Sequence, residues 1–127
     1  MRVGIRLVKI AAIYLLIGVG LGLAMGISQN FALSSVHAHI SLLGWATMSL
    51  AGIVYILLPG CDRSRLATWH FWGHNAGLPI MTASLALEAY GYKSADKAIG
   101  AGSILVLVSL LIFSANLYLN ARAGRPA

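Results

Sequence analysis

The sequence predicts an all-α integral membrane protein: four transmembrane helices in an up-down bundle, expected to assemble as a homo-oligomer. Three observations carry this. The 127 residues are 59% hydrophobic and only 9% charged, against roughly 25% charged in a soluble domain. Mean hydropathy is +0.83, so the chain has too few polar groups to cover its own surface. Four apolar runs also meet the requirement of about 20 residues per spanning helix. These runs, at about residues 10–28, 36–58, 69–90 and 98–119, form one domain over 1–127 with no separate soluble unit.

The first run follows Arg2, Arg6 and Lys9. A basic start before an apolar run can be a secretory signal, but this run outlasts a signal core and no small-x-small cleavage site follows it. It is expected to stay in the protein. Gly18, Gly22 and Gly26 recur every four residues along it. In lipid, such a small-residue face lets two helices approach closely, either inside one chain or across a homo-oligomer seam. The helix bearing His37 and His39 is the other candidate for that seam.

The second run opens on His37 and His39. Ionisable groups in hydrocarbon are costly, so they usually mark a cofactor, ion or proton site. Residues two apart on an α-helix point about 200° apart. The pair therefore cannot chelate one ion on an intact helix, though each imidazole can serve a different group. The run ends at Pro59, and Cys61, Asp62, Arg63, Ser64 and Arg65 follow as a loop. A single cysteine forms no internal disulfide, and Cys61 is expected to be inert.

The third run carries His70 and His74. A spacing of four puts both on one helix face, which makes a dihistidine half-site for copper or zinc, with Met25, Met48 or Met81 as soft partners. Beside Trp69 and Trp72, however, these imidazoles are expected to sit hydrated at the headgroup level. The second run spans about 28 Å between His39 and its far end, so His37 and His39 are expected on the periplasmic side and His70 and His74 on the cytoplasmic side, too far apart for one haem to bridge within a subunit. Pro79 should bend this helix, and Gly73 and Gly77 repeat the small-residue spacing. Ser41, Thr47 and Asn75 are candidates to orient an imidazole or to bond between helices. The fourth run follows Lys93, Asp96 and Lys97 and precedes Arg122 and Arg125.

The net charge of +6 suggests no nucleic-acid partner. Arg2, Arg6, Lys9, Arg63, Arg65, Arg122 and Arg125 fall on one side of an alternating bundle, and Lys93 and Lys97 on the other. This is the positive-inside pattern. It predicts a multi-pass protein of a bacterial-type inner (cytoplasmic) membrane with both termini cytoplasmic. Asp62, Glu88 and Asp96 lie near helix ends, so no paired carboxylates are expected for acid–base catalysis. No phosphate loop, nucleophile elbow or cysteine-rich metal motif is present.

The stretch Val36-His37-Ala38-His39, then Leu43-Gly44-Trp45, then Gly52-Ile53-Val54-Tyr55-Ile56-Leu57-Leu58-Pro59, resembles the tenth helix of haem-copper oxidase subunit I. The C-family cytochrome-c oxidases and nitric oxide reductases are the nearest in pattern. The segment from Trp69 to Gly77 resembles the helix that follows it there. In that superfamily the His-x-His pair ligates two haems from opposite faces. The resemblance thus implies a small haem-b-binding, cytochrome-like protein with iron on His37 and His39, acting in electron transport or haem/gas binding. It covers two of the four runs. The helices that supply the second axial histidine, the copper histidines and the tyrosine of that superfamily have no counterpart here. Oxygen or nitric oxide reduction is therefore not expected of this chain alone. The alternatives are a copper (or zinc) binding membrane protein using His70 and His74, or a non-catalytic subunit or assembly factor of a respiratory oxidase.

Overall fold

The computed structural model describes residues 2–122; Arg125 lies outside the described residues. Helix α1 is Val3–Ser28. It starts seven residues before the apolar run because Val3, Gly4 and Leu7 are already buried against neighbours. The second rod is continuous but not uniform. It comprises α2, Ser34–His39, then a π-helical segment, Ile40–Thr47, then α3, Met48–Leu57. The short α4, Pro59–Asp62, turns the chain into α5, Arg65–Ala89. A 3-10 turn at Lys93–Ala95 leads into α6, Asp96–Asn120.

Among the described residues three helices are long and apolar enough to cross a membrane: Val3–Ser28, Ser34–Leu57 and Lys93–Asn120, with mean hydropathies of 2.3, 1.8 and 2.3. α5 has the length but not the apolarity, since it carries His70, His74, Asn75, Thr82, Ser84 and Glu88. Four of these (His70, His74, Thr82 and Ser84) are buried, whereas Trp69, Trp72, Ile80 and Leu87 are exposed. Its polar stripe therefore faces the protein and its apolar stripe faces outward.

The helices pack as two close pairs, α1 along the second rod and α5 along α6. Missing side chains set both approaches. A Cβ on Gly4 would meet the Gly52 carbonyl oxygen at 2.6 Å, and one on Gly52 would meet the Gly4 oxygen at 2.8 Å. Between α5 and α6, a Cβ on Gly77 would lie 2.9 Å from the Gly102 oxygen, and one on Gly102 would lie 2.6 Å from the Met81 nitrogen. Gly18 and Gly22 face Ser41 and His37 of the same chain, while Gly26 faces open space. Two of the three glycines of the expected seam are thus used inside the chain.

Polar contacts gather the ends. The Gly4 amide donates to Asp62 Oδ1 at 2.8 Å, so a carboxylate caps α1, where the helix dipole favours negative charge. Ser64 donates to Asn116 Oδ1 at 2.8 Å, and Asn116 Nδ2 donates to the Cys61 carbonyl at 3.0 Å. These bonds bring the N-terminus, the α4 turn and the end of α6 together. That end holds Arg2, Arg6, Lys9, Arg63, Arg65 and Arg122, and Lys93 and Lys97 lie at the other.

Pro79 lies inside α5, which runs unbroken through it. Proline supplies no amide to the turn before it. Around it, Thr82 Oγ1 donates to the Leu78 carbonyl at 2.9 Å and Ser84 Oγ to the Ile80 carbonyl at 2.6 Å.

Candidate functional site

The four histidines form two sites of different character. His37 and His39 are half-buried near the start of the second rod. His37 Nδ1 donates to the Gly18 carbonyl at 2.8 Å. Its ring lies on α1 at Gly22, where a Cβ would come within 2.9 Å of Cε1. His39 Nδ1 donates to the Ser35 carbonyl, one turn back, at 2.7 Å. A carbonyl can only accept, so each Nδ1 carries a proton, and in the neutral imidazole Nε2 is the nitrogen with the lone pair. Backbone bonds of this kind fix the tautomer and orientation of metal-binding histidines.

The two positions differ in room. Nothing among the described residues bonds His39 Nε2 or packs a glycine face against its ring. His37 has α1 along its Cε1 edge, so a planar group on its Nε2 has that helix as an immediate neighbour. The donor chemistry suits a metal ligand at both positions, and the ring of His39 has more room than that of His37.

His70 and His74 correct the sequence expectation. Both are fully buried, with 0% exposure, rather than hydrated at the membrane surface. The outward face of α5 at this level belongs to Trp69 and Trp72, 59% and 62% exposed. His74 Nε2 donates to the Leu43 carbonyl at 2.9 Å. That carbonyl belongs to the π-helical segment. His70 Nδ1 lies 3.1 Å from the Tyr55 hydroxyl, which accepts from Asn116 Nδ2 at 3.4 Å. The pairs are also nearer than expected, because Leu43 is four residues, about 6 Å of helix, from His39.

The His70 and His74 rings meet edge to face with centroids 5.6 Å apart. Phe113 and Tyr55 complete an aromatic shell around His70, at 5.1 and 5.6 Å. His70 Nε2 and His74 Nδ1 are buried with no hydrogen-bond partner among the described residues. Native interiors rarely leave such atoms alone. Among the described residues no group of three His, Cys, Asp or Glu side chains converges as a metal cage.

The remaining candidates have local roles. Asn75 Nδ2 donates to the Phe71 carbonyl of its own helix at 2.8 Å. Ser41 Oγ faces Gly18. Glu88 and Asp96 are exposed at helix ends. Asn116, which the sequence reading passed over, is fully buried and is the hub joining Tyr55, Cys61, Ser64 and Asn120. Its signal was available: Gly102, Val106, Ser109 and Asn116 form the one buried stripe of α6.

No family model, curated protein or solved structure matches this chain.

Proposed function

We propose that the chain is a four-span protein of a bacterial-type cytoplasmic membrane that binds haem b through His39 and His37. Its role on this reading is electron transfer or haem/gas binding. The observation that carries the proposal is the state of the His-x-His pair. Each imidazole has an Nδ1 proton tied to a backbone carbonyl, at 2.8 Å for His37 and 2.7 Å for His39, so Nε2 is the lone-pair donor of the neutral ring. The sequence resemblance to haem-copper oxidase subunit I supports the same two residues. Apolar residues such as Leu16, Ile27 and Leu57, each more than 70% exposed, support a lipid-covered surface. The outward apolar stripe of α5 supports counting it as the fourth span.

Bound haem b supplies a one-electron carrier whose potential depends on its axial ligands and surroundings. The chain's own part is orientation. Ser35 holds His39 from within its own helix, and Gly18 and Gly22 seat His37 against α1. His70 and His74 face the interior, so His39 and its counterpart in another copy of the chain would be the residues to hold a haem between copies. With Gly18 and Gly22 already occupied, the seam between copies runs along the helix of His37 and His39. The cationic end with Arg2, Arg63 and Arg65 lies on the cytoplasmic side.

The test is a reduced-minus-oxidised visible spectrum of detergent-purified protein, with a pyridine haemochrome assay on the same sample. Haem-b bands at a fixed haem-to-chain ratio, lost in His39→Ala, are expected. A sample that stays colourless after haem is supplied during expression, or unchanged haem in His39→Ala, overturns the reading.

A further inference from the structure

Two buried imidazole nitrogens on successive turns of α5 have nothing to bond to, and their opposite nitrogens are already committed. His74 is fixed as the Nε2–H tautomer by the Leu43 carbonyl, which leaves a lone pair on Nδ1. His70 has Nδ1 on the Tyr55 hydroxyl oxygen. Binding at His70 Nε2 takes the tautomer with the proton on Nδ1, which donates to that oxygen while the Tyr55 hydroxyl hydrogen turns away from the ring, and Nε2 is then likewise a bare lone pair. Metal–imidazole bonds of about 2 Å place the centres of two rings that share one ion about 5–6 Å apart. The observed separation is 5.6 Å.

From this geometry we infer that His70 Nε2 and His74 Nδ1 form a buried two-nitrogen site for a single cuprous ion. The ion is chosen by what surrounds the pair. Both donors are neutral, and no carboxylate or thiolate among the described residues joins them in a group of three. Zinc in a structural site asks for four ligands, and a divalent charge would be uncompensated among Tyr55, Phe113 and Leu43. The cost of burying an ion grows with the square of its charge, so a monovalent ion pays about a quarter of the divalent cost. A closed-shell cuprous ion accepts two donors, and imidazole is among the ligands that suit copper. Tyr55 then orients His70 as Leu43 orients His74. The site is separate from His37 and His39 and does not rest on the haem reading.

The experiment uses the detergent-solubilised full chain, prepared free of haem and titrated anaerobically with Cu(I) against the chromophoric chelator bicinchoninate. One equivalent of copper held against the chelator is expected. His74→Gln, which keeps a donor for the Leu43 carbonyl, and His70→Gln should each weaken binding at least about a hundredfold, beyond what loss of an outer-shell partner costs. His39→Ala should bind copper as the unaltered chain does. If a glutamine variant fails to fold, X-ray absorption on the unaltered protein decides: two nitrogen scatterers at about 2 Å support the site. Failure to compete with the chelator, copper binding unchanged in both glutamine variants, sulfur in the first shell, or zinc held in preference would each overturn it.

Discussion

His37 sets the Cε1 edge of its ring against Gly22, and the contact exists because Gly22 has no side chain: a Cβ there would stand 2.9 Å from the imidazole Cε1. The histidine that the sequence singles out is thus seated by a glycine that it singles out separately. Gly22→Ala should push the ring off α1 and weaken its 2.8 Å bond to the Gly18 carbonyl, at a cost of about 1 kcal/mol. Gly26→Ala meets nothing within 4 Å and serves as the control. Imidazole resonances by NMR, with thermal stability, would check this. A His37 signal unmoved in Gly22→Ala would contradict the packing.

Asn116 holds together the end where the α4 turn meets α6. Asn116→Leu would leave the Ser64 hydroxyl and the Cys61 carbonyl without the partners they have at 2.8 and 3.0 Å. A loss of about 1–3 kcal/mol is expected from unsatisfied buried groups. Tyr55→Phe, which removes one member of the same chain of bonds, should cost less. Unfolding in mixed detergent, followed by circular dichroism, gives the comparison.

The α5–α6 crossing should tolerate no added carbon. Gly77→Ala places a methyl 2.8–2.9 Å from Leu105 Cβ, the Gly102 oxygen and the Val106 nitrogen. Two of these are backbone atoms, so the helices must separate, at about 1–3 kcal/mol. Gly100→Ala, in the same region of α6 but with nothing within 4 Å, should gain up to about 1 kcal/mol from helix propensity. Equal effects of the two substitutions would rule out the close crossing.

Cys61 should react slowly with thiol reagents. It is fully buried, and burial pushes its thiol pKa above the ordinary value, which lowers the thiolate fraction that reacts. Labelling by a maleimide should therefore rise with pH later than for a free thiol, and should jump on denaturation. In the unfolded chain the thiol ionises first, so its contribution to stability declines as pH rises past the ordinary thiol range. Rapid labelling of the folded protein at neutral pH would contradict this burial.

Composition and run length made the all-α, apolar character legible, because a shortage of charged residues leaves few other solutions. Three of the four expected runs coincide with helices apolar enough to cross a membrane. The burial of His70 and His74 was readable but misjudged. Positions 70, 74, 77, 78 and 81 form one stripe of α5, and all are buried. Trp69 and Trp72 lie on another face, so their interfacial habit said nothing about the histidines. The π-helical segment had no such signal, since hydrophobic periodicity records which side is apolar and not how tightly the backbone winds. Asp62, read as a loop carboxylate, caps α1 through a partner 58 residues away, a pairing that local pattern does not contain.

The wide winding between Ile40 and Thr47 sets a compass bearing for everything above it. Each residue of ordinary α-helix turns the chain by about 100°. Wound as plain α-helix at the same length, this stretch would swing the His37–His39 head round by at least about that angle relative to Met48–Leu57. His37 would leave Gly22, and the Leu43 carbonyl would no longer meet His74. The winding of this stretch is therefore as much a determinant of where the histidines face as their identity, and tightening it at constant length would re-aim them without altering a single one.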